Sequence, residues 1–122
     1  MNVLILSDTF PNKLAPWRGP YNRRQVECLS RLSSVTVINP IPFPRFLLRP
    51  KMWDLVKGRD DAIKGVSTWH PVFRYVPLLG RGRAWGGVLR AARRALKHGA
   101  AGDYDVILAT FAYPHGAAAR AL

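Results

Sequence analysis

The strongest constraint on the fold is a strand, loop, helix and strand pattern near the start of the chain. Residues 3–6, Val-Leu-Ile-Leu, form an unbroken apolar run, which is typical of a strand buried on both faces of a parallel sheet. A polar loop follows to Pro20, and helical spacing begins at Tyr21. Residues 35–38 supply a second apolar strand. This pattern predicts one βαβ unit, with the right-handed crossover that nearly all such units have.

The first helix carries its apolar residues on one side. Val26, Leu29 and Leu32 recur every three residues and Cys28 lies beside them, so we expect these side chains to face the core. A lone cysteine excludes both a disulfide framework and a cysteine-built zinc site. The three histidines lack the spacing of metal ligands. We therefore expect no metal and no other cofactor.

A strand, a helix and a further strand follow an irregular segment. Residues 40–65 are rich in proline and aromatic residues, which predicts an ordered excursion. Residues 66–76 are β-branched and aromatic and predict a third strand, bent at His70 and Pro71, and residues 106–108 predict a fourth, buried strand. Between them, residues 83–98 predict a helix. Its apolar stripe comprises Trp85, Val88, Leu89, Ala92 and Leu96. The predicted class is α/β, Rossmann-like, with a mostly parallel sheet flanked by helices.

The length of 122 residues suits one domain. The last predicted helix opens at Gly116 and stops without a cap, so we expect residues 1–122 to form a single, truncated domain. Spanning a bilayer takes about 20 apolar residues, and the chain has no such stretch. The start, MNVLILSD, lacks the basic region of a signal peptide, so we expect a cytoplasmic protein.

Positive charge is concentrated in the middle of the chain. The whole sequence has a net charge of +12, and residues 43–99, with 13 basic and 3 acidic side chains, account for +10 of it. Polyphosphates, nucleic acids and anionic lipid headgroups are the partners that such a surface attracts. A solvated basic face without a partner is the alternative.

Two loops leave the carboxyl ends of predicted strands, where open α/β sheets bind ligands. The first, residues 8–20, places Gly19 just before a helix, whose N-terminus suits a phosphate or a hydroxyl. We expect Gly19 to matter for function and little for folding, unless it adopts a positive φ. The second loop, TFAYPHG, begins at Thr110 and contains Tyr113 and His115. His115 could act as a hydrogen-bond donor, an acid or a base, or could simply cap a helix. Catalytic residues remain unassigned.

Together these segments resemble the amino-terminal half of a GT-B glycosyltransferase of family 4, closest to the teichuronic-acid-type transferases. Four segments carry the likeness: MNVLILSDTFPN, RGPYNRRQVECLSRL, VTVINPIPFP and DYDVILATFAYPHGAAARAL. The segment WHPVFRYVP also resembles a recurrent family pattern. The chain has His115 where the family usually has an acidic residue.

The resemblance implies transfer of a sugar from a nucleotide-sugar donor to a glycan or lipid-linked acceptor, with retained anomeric configuration, as in polysaccharide biosynthesis. Gly19, with its neighbours Pro20 and Tyr21, would take the place of the glycine loop beside the donor diphosphate. Thr110 and the run from Tyr113 through His115 to Gly116 would form the facing cleft loop. The donor-binding carboxyl-terminal domain is absent, so we expect these 122 residues alone to be inactive.

Lipid-linked acceptors would place such an enzyme at the inner face of a membrane. The resemblance and the basic middle of the chain together predict peripheral attachment to an anionic membrane surface. The candidate residues are Arg45, Phe46, Arg49, Lys51 and Trp53.

Two other readings stay open at this point. A basic α/β module that binds nucleic acid fits the charge, but the aromatic residues are not interleaved with basic ones, so we expect no nucleic-acid partner. A receiver-like scaffold would use Asp8, but no acidic cluster accompanies it to hold magnesium.

Overall fold

The computed structural model describes residues 1–43, 50–75 and 81–122. At Pro50 and Arg81 it describes the backbone but not the side chain. Its strands are β1 Asn2–Leu6, β2 Ser34–Ile38, β3 Ile41–Pro42, β4 Arg59–Asp60, β5 Ser67–Trp69, β6 Val72–Phe73 and β7 Val106–Ala109. Its α-helices are α1 Pro20–Leu29, α2 Trp53–Val56, α3 Ala84–His98 and α4 Ala117–Arg120. Short turns of helix cover Pro50–Met52, Arg81–Arg83 and Ala112–Gly116.

The main sheet has five strands in the order β4-β5-β2-β1-β7. β1 pairs in parallel with β2 and β7, and β2 pairs in parallel with β5, whereas β4 runs antiparallel to β5. β3 and β6 form a separate parallel pair. The protein is therefore an α/β protein with a mostly parallel mixed sheet flanked by helices, as predicted, and it is compatible with a Rossmann-like fold.

Strand β1, which lies between β2 and β7, buries both of its faces. Val3 and Ile5 pack into one apolar cluster with Val26 of α1, and Leu4 and Leu6 pack into a second cluster on the opposite face. The second cluster holds Val88, Ala92 and Ala95 of α3 and Ala118 of α4. Because successive side chains of a strand point to opposite faces, an uninterrupted apolar run is what a strand between two helical layers needs.

The strand order reverses direction beside β1. From β1 the chain moves to β2 and then β5 on one side, and it later returns to β7 on the other side. In open α/β sheets, ligands bind at such a switch point, outside the carboxyl ends of the strands. The loops after β1 and β7 meet there.

The predicted third strand is not one bent strand. His70 and Pro71 separate β5 in the main sheet from β6 in the two-stranded sheet. Pro71 has no N–H to donate to a ladder, so the pairing ends at this point. The carbonyl of Pro71 instead accepts a bond from the Ile41 N–H, at 2.9 Å. The predicted end of this strand, at residue 76, lies outside the described residues.

Five predicted core positions are wrong. Cys28 is exposed, and Leu32 is 84% exposed because α1 ends at Leu29 and turns away before the predicted stripe is complete. Trp85 is 38% exposed, since α3 packs through small residues one position further round the helix, including Ala91 and Ala95. Val106 and Ile107 are also more than one third exposed, because β7 lies at the edge of the described sheet rather than inside it.

The excursion between β3 and β4 is partly described. Met52 and Leu55 are buried, which anchors residues 50–56 against the protein. Lys51 is exposed and Trp53 is 50% exposed. The other candidate membrane residues, Arg45, Phe46 and Arg49, lie outside the described residues. Within the described part of the chain, no helix is long and apolar enough to span a membrane.

Candidate functional site

Ser7 joins the two loops at the switch point. It follows β1 directly and is fully buried. The Thr110 hydroxyl, at the end of β7, donates to Ser7 Oγ at 3.1 Å. The Asn22 side chain, from α1, donates to the same oxygen at 3.3 Å. Ser7 Oγ in turn donates to the Thr9 carbonyl at 3.2 Å, so one hydroxyl ties β1, β7 and α1 together.

Gly19 brings the start of α1 against the loop after β1. It precedes Pro20, the first residue of α1, and has φ 61° and ψ 54°, the left-handed region. A Cβ at this position would lie 2.6 Å from the Thr9 carbonyl oxygen, so a side chain is excluded sterically as well as conformationally. Asn22 closes the same contact by donating to the Thr9 oxygen at 2.6 Å. Because Gly19 has a positive φ, we expect its replacement to destabilise the fold as well as to affect function.

The first turn of α1 offers free backbone donors. Among the described residues, the N–H groups of Tyr21 and Asn22 have no hydrogen-bond partner, and no side chain caps the helix. The first turn also holds no acidic residue. Tyr21 is 88% exposed, so its ring points toward solvent rather than into the crevice wall. This helix end therefore presents backbone donors and the positive end of the helix dipole beside the Thr9 carbonyl.

The second loop turns sharply after Thr110. Its backbone N–H donates to the Leu6 carbonyl at 3.1 Å, which extends the pairing of β7 with β1 by one residue. The peptide bond between Tyr113 and Pro114 is cis. The Gly116 N–H donates back to the Phe111 carbonyl at 2.8 Å, and this bond closes the turn. Tyr113 is 48% exposed.

His115 is the most unusual side chain of this loop. It is 1% exposed, yet neither ring nitrogen has a hydrogen-bond partner among the described residues. Burial lowers the pKa of His115 below its ordinary value, and the nearby negative charge of Asp8 offsets part of that effect. The imidazole is therefore neutral at neutral pH, with one nitrogen able to accept and the other able to donate.

A cavity of about 220 Å³ lies between α1 and β7, next to the Ser7 junction. Asn22 and Gln25 of α1 form one wall, and Leu108, Ala109 and Thr110 form the other. Pockets that enclose a whole small ligand usually measure roughly 300–1,000 Å³. This cavity therefore suits part of a ligand, with amide and hydroxyl groups as its polar contacts.

A second polar network lies at the carboxyl ends of β2 and β5. Asn39 donates from its side chain to the Ser7 and Asp8 carbonyls, at 2.7 and 2.8 Å, and these two bonds fix which way the amide points. Its Oδ1 therefore faces His70 Nδ1, at 3.2 Å, and His70 Nε2 lies 3.1 Å from Asp60 Oδ2. Both ring nitrogens of His70 therefore face oxygen atoms within hydrogen-bond distance.

Asp60 is the anionic end of this network. It is 1% exposed, and that burial alone would raise its pKa. The hydrogen bond and positive charge of His70, with bonds from the Lys13 and Ala62 N–H groups at 3.1 and 3.0 Å, outweigh burial and hold the pKa of Asp60 below its ordinary value. The network thus joins the loop after β1 to β4 and β5 through the buried contact between His70 Nε2 and Asp60 Oδ2.

The chain matches no protein-family model, no curated protein and no solved structure. In the described residues, no group of three or more His, Cys, Asp or Glu side chains is placed to hold a metal ion. The site is therefore described from its own geometry.

The structure brings some predicted residues together and adds others. Gly19 and Thr110 meet through Thr9, Asn22 and Ser7. Sequence reasoning missed the network of Asn39, His70 and Asp60. Asn39 and His70 each follow a parallel strand directly, and that shared position could have predicted their contact. Asp60 lies in a two-residue antiparallel strand that has no periodic signal.

Proposed function

We propose that this chain forms the acceptor-side, amino-terminal domain of a GT-B glycosyltransferase related to family 4. The observation that carries the proposal is the crevice at the switch point, where the loop of Gly19 and the loop of Thr110 face each other across the Ser7 junction. Gly19 and Thr110 lie in two of the four segments in which the sequence resembles that family. The activity would be retaining transfer of a sugar from a nucleotide-sugar donor, without a metal.

Each part of the crevice has a role in this proposal. The free N–H groups of Tyr21 and Asn22 approach the donor diphosphate, because a helix N-terminus favours negative charge. The cavity beside Asn22 and Thr110 takes part of the acceptor through its hydroxyl groups. His115 lies outside the residues that line this cavity; neutral and buried, it can accept or donate one hydrogen bond to a ligand group that reaches the second loop. The donor nucleotide itself needs a second domain, so these 122 residues alone are inactive in this account.

The proposed acceptor is a glycan or a lipid-linked sugar, and the enzyme would work in the cytoplasm at the inner face of a membrane. Exposed side chains support this placement: Trp53 is 50% exposed, Phe43 is 42% exposed, and Lys51, close to Trp53 in the chain, is exposed as well. Aromatic and basic side chains on one surface favour attachment to anionic bilayers. Arg45, Phe46 and Arg49 stay candidates for the same surface.

The test is sugar transfer by the full reading frame that contains these residues, assayed with a set of nucleotide-sugars and compared with residues 1–122 alone. We expect transfer from at least one nucleotide-sugar by the full reading frame and none by residues 1–122. The variant His115→Leu should lose most of the transfer rate while keeping its folding transition at neutral pH. Absence of transfer with every donor, or an unchanged rate in His115→Leu, would count against the proposal.

A further inference from the structure

A groove follows α3 on the side of the sheet opposite α1. Two adjoining cavities, of about 480 and 250 Å³, share Val72 and Arg94 as lining residues. The floor is apolar and includes Ala91 and Ala95 of α3. We refer to these two cavities together as the α3 groove.

Both walls of the α3 groove carry basic side chains. Arg90, Arg94 and His98 line it from α3, and their spacing of four residues aligns them along about 12 Å of helix axis. Arg74 and Lys57 line it from the opposite wall. None of the described residues that line either cavity is acidic.

These arginines have no neutralising partner among the described residues. The ion pairs found there join Arg23 to Glu27, Arg59 to Asp61 and His70 to Asp60, all of them outside the row of arginines. Arg74, Arg90 and Arg94 form none. Several like charges around one concave surface repel each other. An anion in the groove would relieve that repulsion.

The chemistry of the walls selects the kind of anion. A guanidinium group presents a planar fork of donors that matches two oxygens of a phosphate. Arg74, Arg90 and Arg94 converge on the larger cavity, and His98 and Lys57 line the smaller one. Phe43 and Phe73 add an apolar surface beside the first group of cations.

We propose that the α3 groove binds a ligand bearing a diphosphate or two neighbouring phosphates. One phosphate lies among Arg74, Arg90 and Arg94, and the second lies toward His98. The apolar part of the ligand packs on Phe73. A soluble phosphorylated compound and a lipid headgroup share this chemistry. The groove is separate from the crevice between α1 and β7. The proposal of a phosphate site therefore does not depend on the proposal of sugar transfer.

The test is titration of the 122-residue chain with inorganic pyrophosphate. Calorimetry measures the affinity, and the NMR signals of the arginine side chains report which of them contact the ligand. We expect saturable binding that weakens with added salt. Arg94→Gln should weaken binding by at least about tenfold, since hydrogen bonds to charged groups are lost. Lys97→Gln is the matched control, because Lys97 is exposed on the same helix and lines neither cavity. It should change the affinity less than about twofold, as expected of a screened surface charge.

Arg90→Gln gives a second variant if Arg94→Gln unfolds, and circular dichroism checks both. Vesicles containing phosphatidylglycerol distinguish a lipid headgroup from a soluble phosphorylated compound as the natural ligand. If the natural ligand is a lipid headgroup, these vesicles retain the chain and pyrophosphate displaces it; if it is soluble, pyrophosphate binds and the vesicles do not. Absence of saturation, equal losses in Arg94→Gln and Lys97→Gln, or tight binding of generic duplex DNA without binding of pyrophosphate would overturn the proposal.

Discussion

Two histidines are almost fully buried, and they differ in what surrounds their ring nitrogens. His70 faces Asn39 on one side and Asp60 on the other, so both of its nitrogens are satisfied. His115 has no partner for either nitrogen among the described residues. A satisfied buried group holds structure together, whereas an unsatisfied one costs stability and is retained where a ligand or substrate completes it. At the residue scale, His70 is structural and His115 is the functional candidate.

His115 should make stability depend on pH. Its pKa is lowered in the folded protein by burial, so below about pH 6.5, the ordinary histidine value, the unfolded chain binds a proton that the folded chain does not. Stability is therefore complete above that pH and falls as the solution is acidified, with a slope approaching about 1.4 kcal/mol per pH unit. Urea unfolding of the wild type and of His115→Leu, compared at neutral and mildly acidic pH, measures the contribution. Equal slopes in the two proteins would refute it.

The pair of His70 and Asp60 should show a large cost when one member is removed. Asp60→Asn replaces the buried carboxylate that faces His70 Nε2 by an amide, and we expect a loss of about 3 kcal/mol in the free energy of unfolding. Replacing both residues by apolar ones should cost less than the sum of the two single changes. Denaturant unfolding of the four proteins in this double-mutant cycle gives the coupling. A loss under about 1 kcal/mol for Asp60→Asn would mean that the pair is solvated and weak.

At the element scale, strands and helices with a full apolar pattern could be predicted and irregular ones could not. The unbroken run in β1 identified a strand between two helical layers, and residues 83–98 nearly match α3. The sequence predicted the wrong buried face for α3, because alanine contributes little to an apolar pattern. Ala91 and Ala95 are buried since their small side chains let the helix pack closely. The break between β5 and β6 depends on where β3 offers a partner, and no local pattern encodes that.

The start of α1 gives a prediction about Gly19. Gly19→Ala should destabilise the fold by about 1–2 kcal/mol, since φ 61° is unfavourable for a residue with a Cβ. The contact with the Thr9 carbonyl adds to this cost. Gly58→Ala is the control, because a Cβ there meets no atom within 4 Å and its φ is not positive. Thermal melts of both variants measure the difference. Equal melting temperatures would mean that the loop adapts without strain.

At the scale of the whole molecule, β7 leaves apolar side chains exposed at one edge of the described sheet. Val106 is 37% exposed and Ile107 is 38% exposed. An exposed apolar edge strand pairs readily with other chains, so we expect the isolated 122 residues to associate and to melt broadly at low temperature. Ile107→Lys should reduce association in light scattering, because a charge at an edge opposes pairing. A sharp, reversible transition above about 65 °C, with no association, would contradict this expectation.

The order of the strands in the sheet decides how much of the site could be predicted from the sequence. The loops after β1 and β7 were identified because parallel strands place their carboxyl ends on one edge. Their contact through Ser7 depends on β7 lying next to β1 rather than beyond β5, a choice of strand order that no motif in the chain specifies. The burial of His115 depends on the same choice, since its loop turns back after β7.

The central claim is that the crevice between the Gly19 loop and the Thr110 loop carries out sugar transfer. Its most direct test is the kcat/KM for transfer in the full reading frame, measured for Gly19→Ala against Gly58→Ala at a temperature where circular dichroism shows both fully folded. We predict a loss of at least about a hundredfold in Gly19→Ala, because a small displacement of positioning groups is enough to cost that much, and a value within about twofold of wild type in Gly58→Ala. Equal kcat/KM values in the two variants would contradict the account.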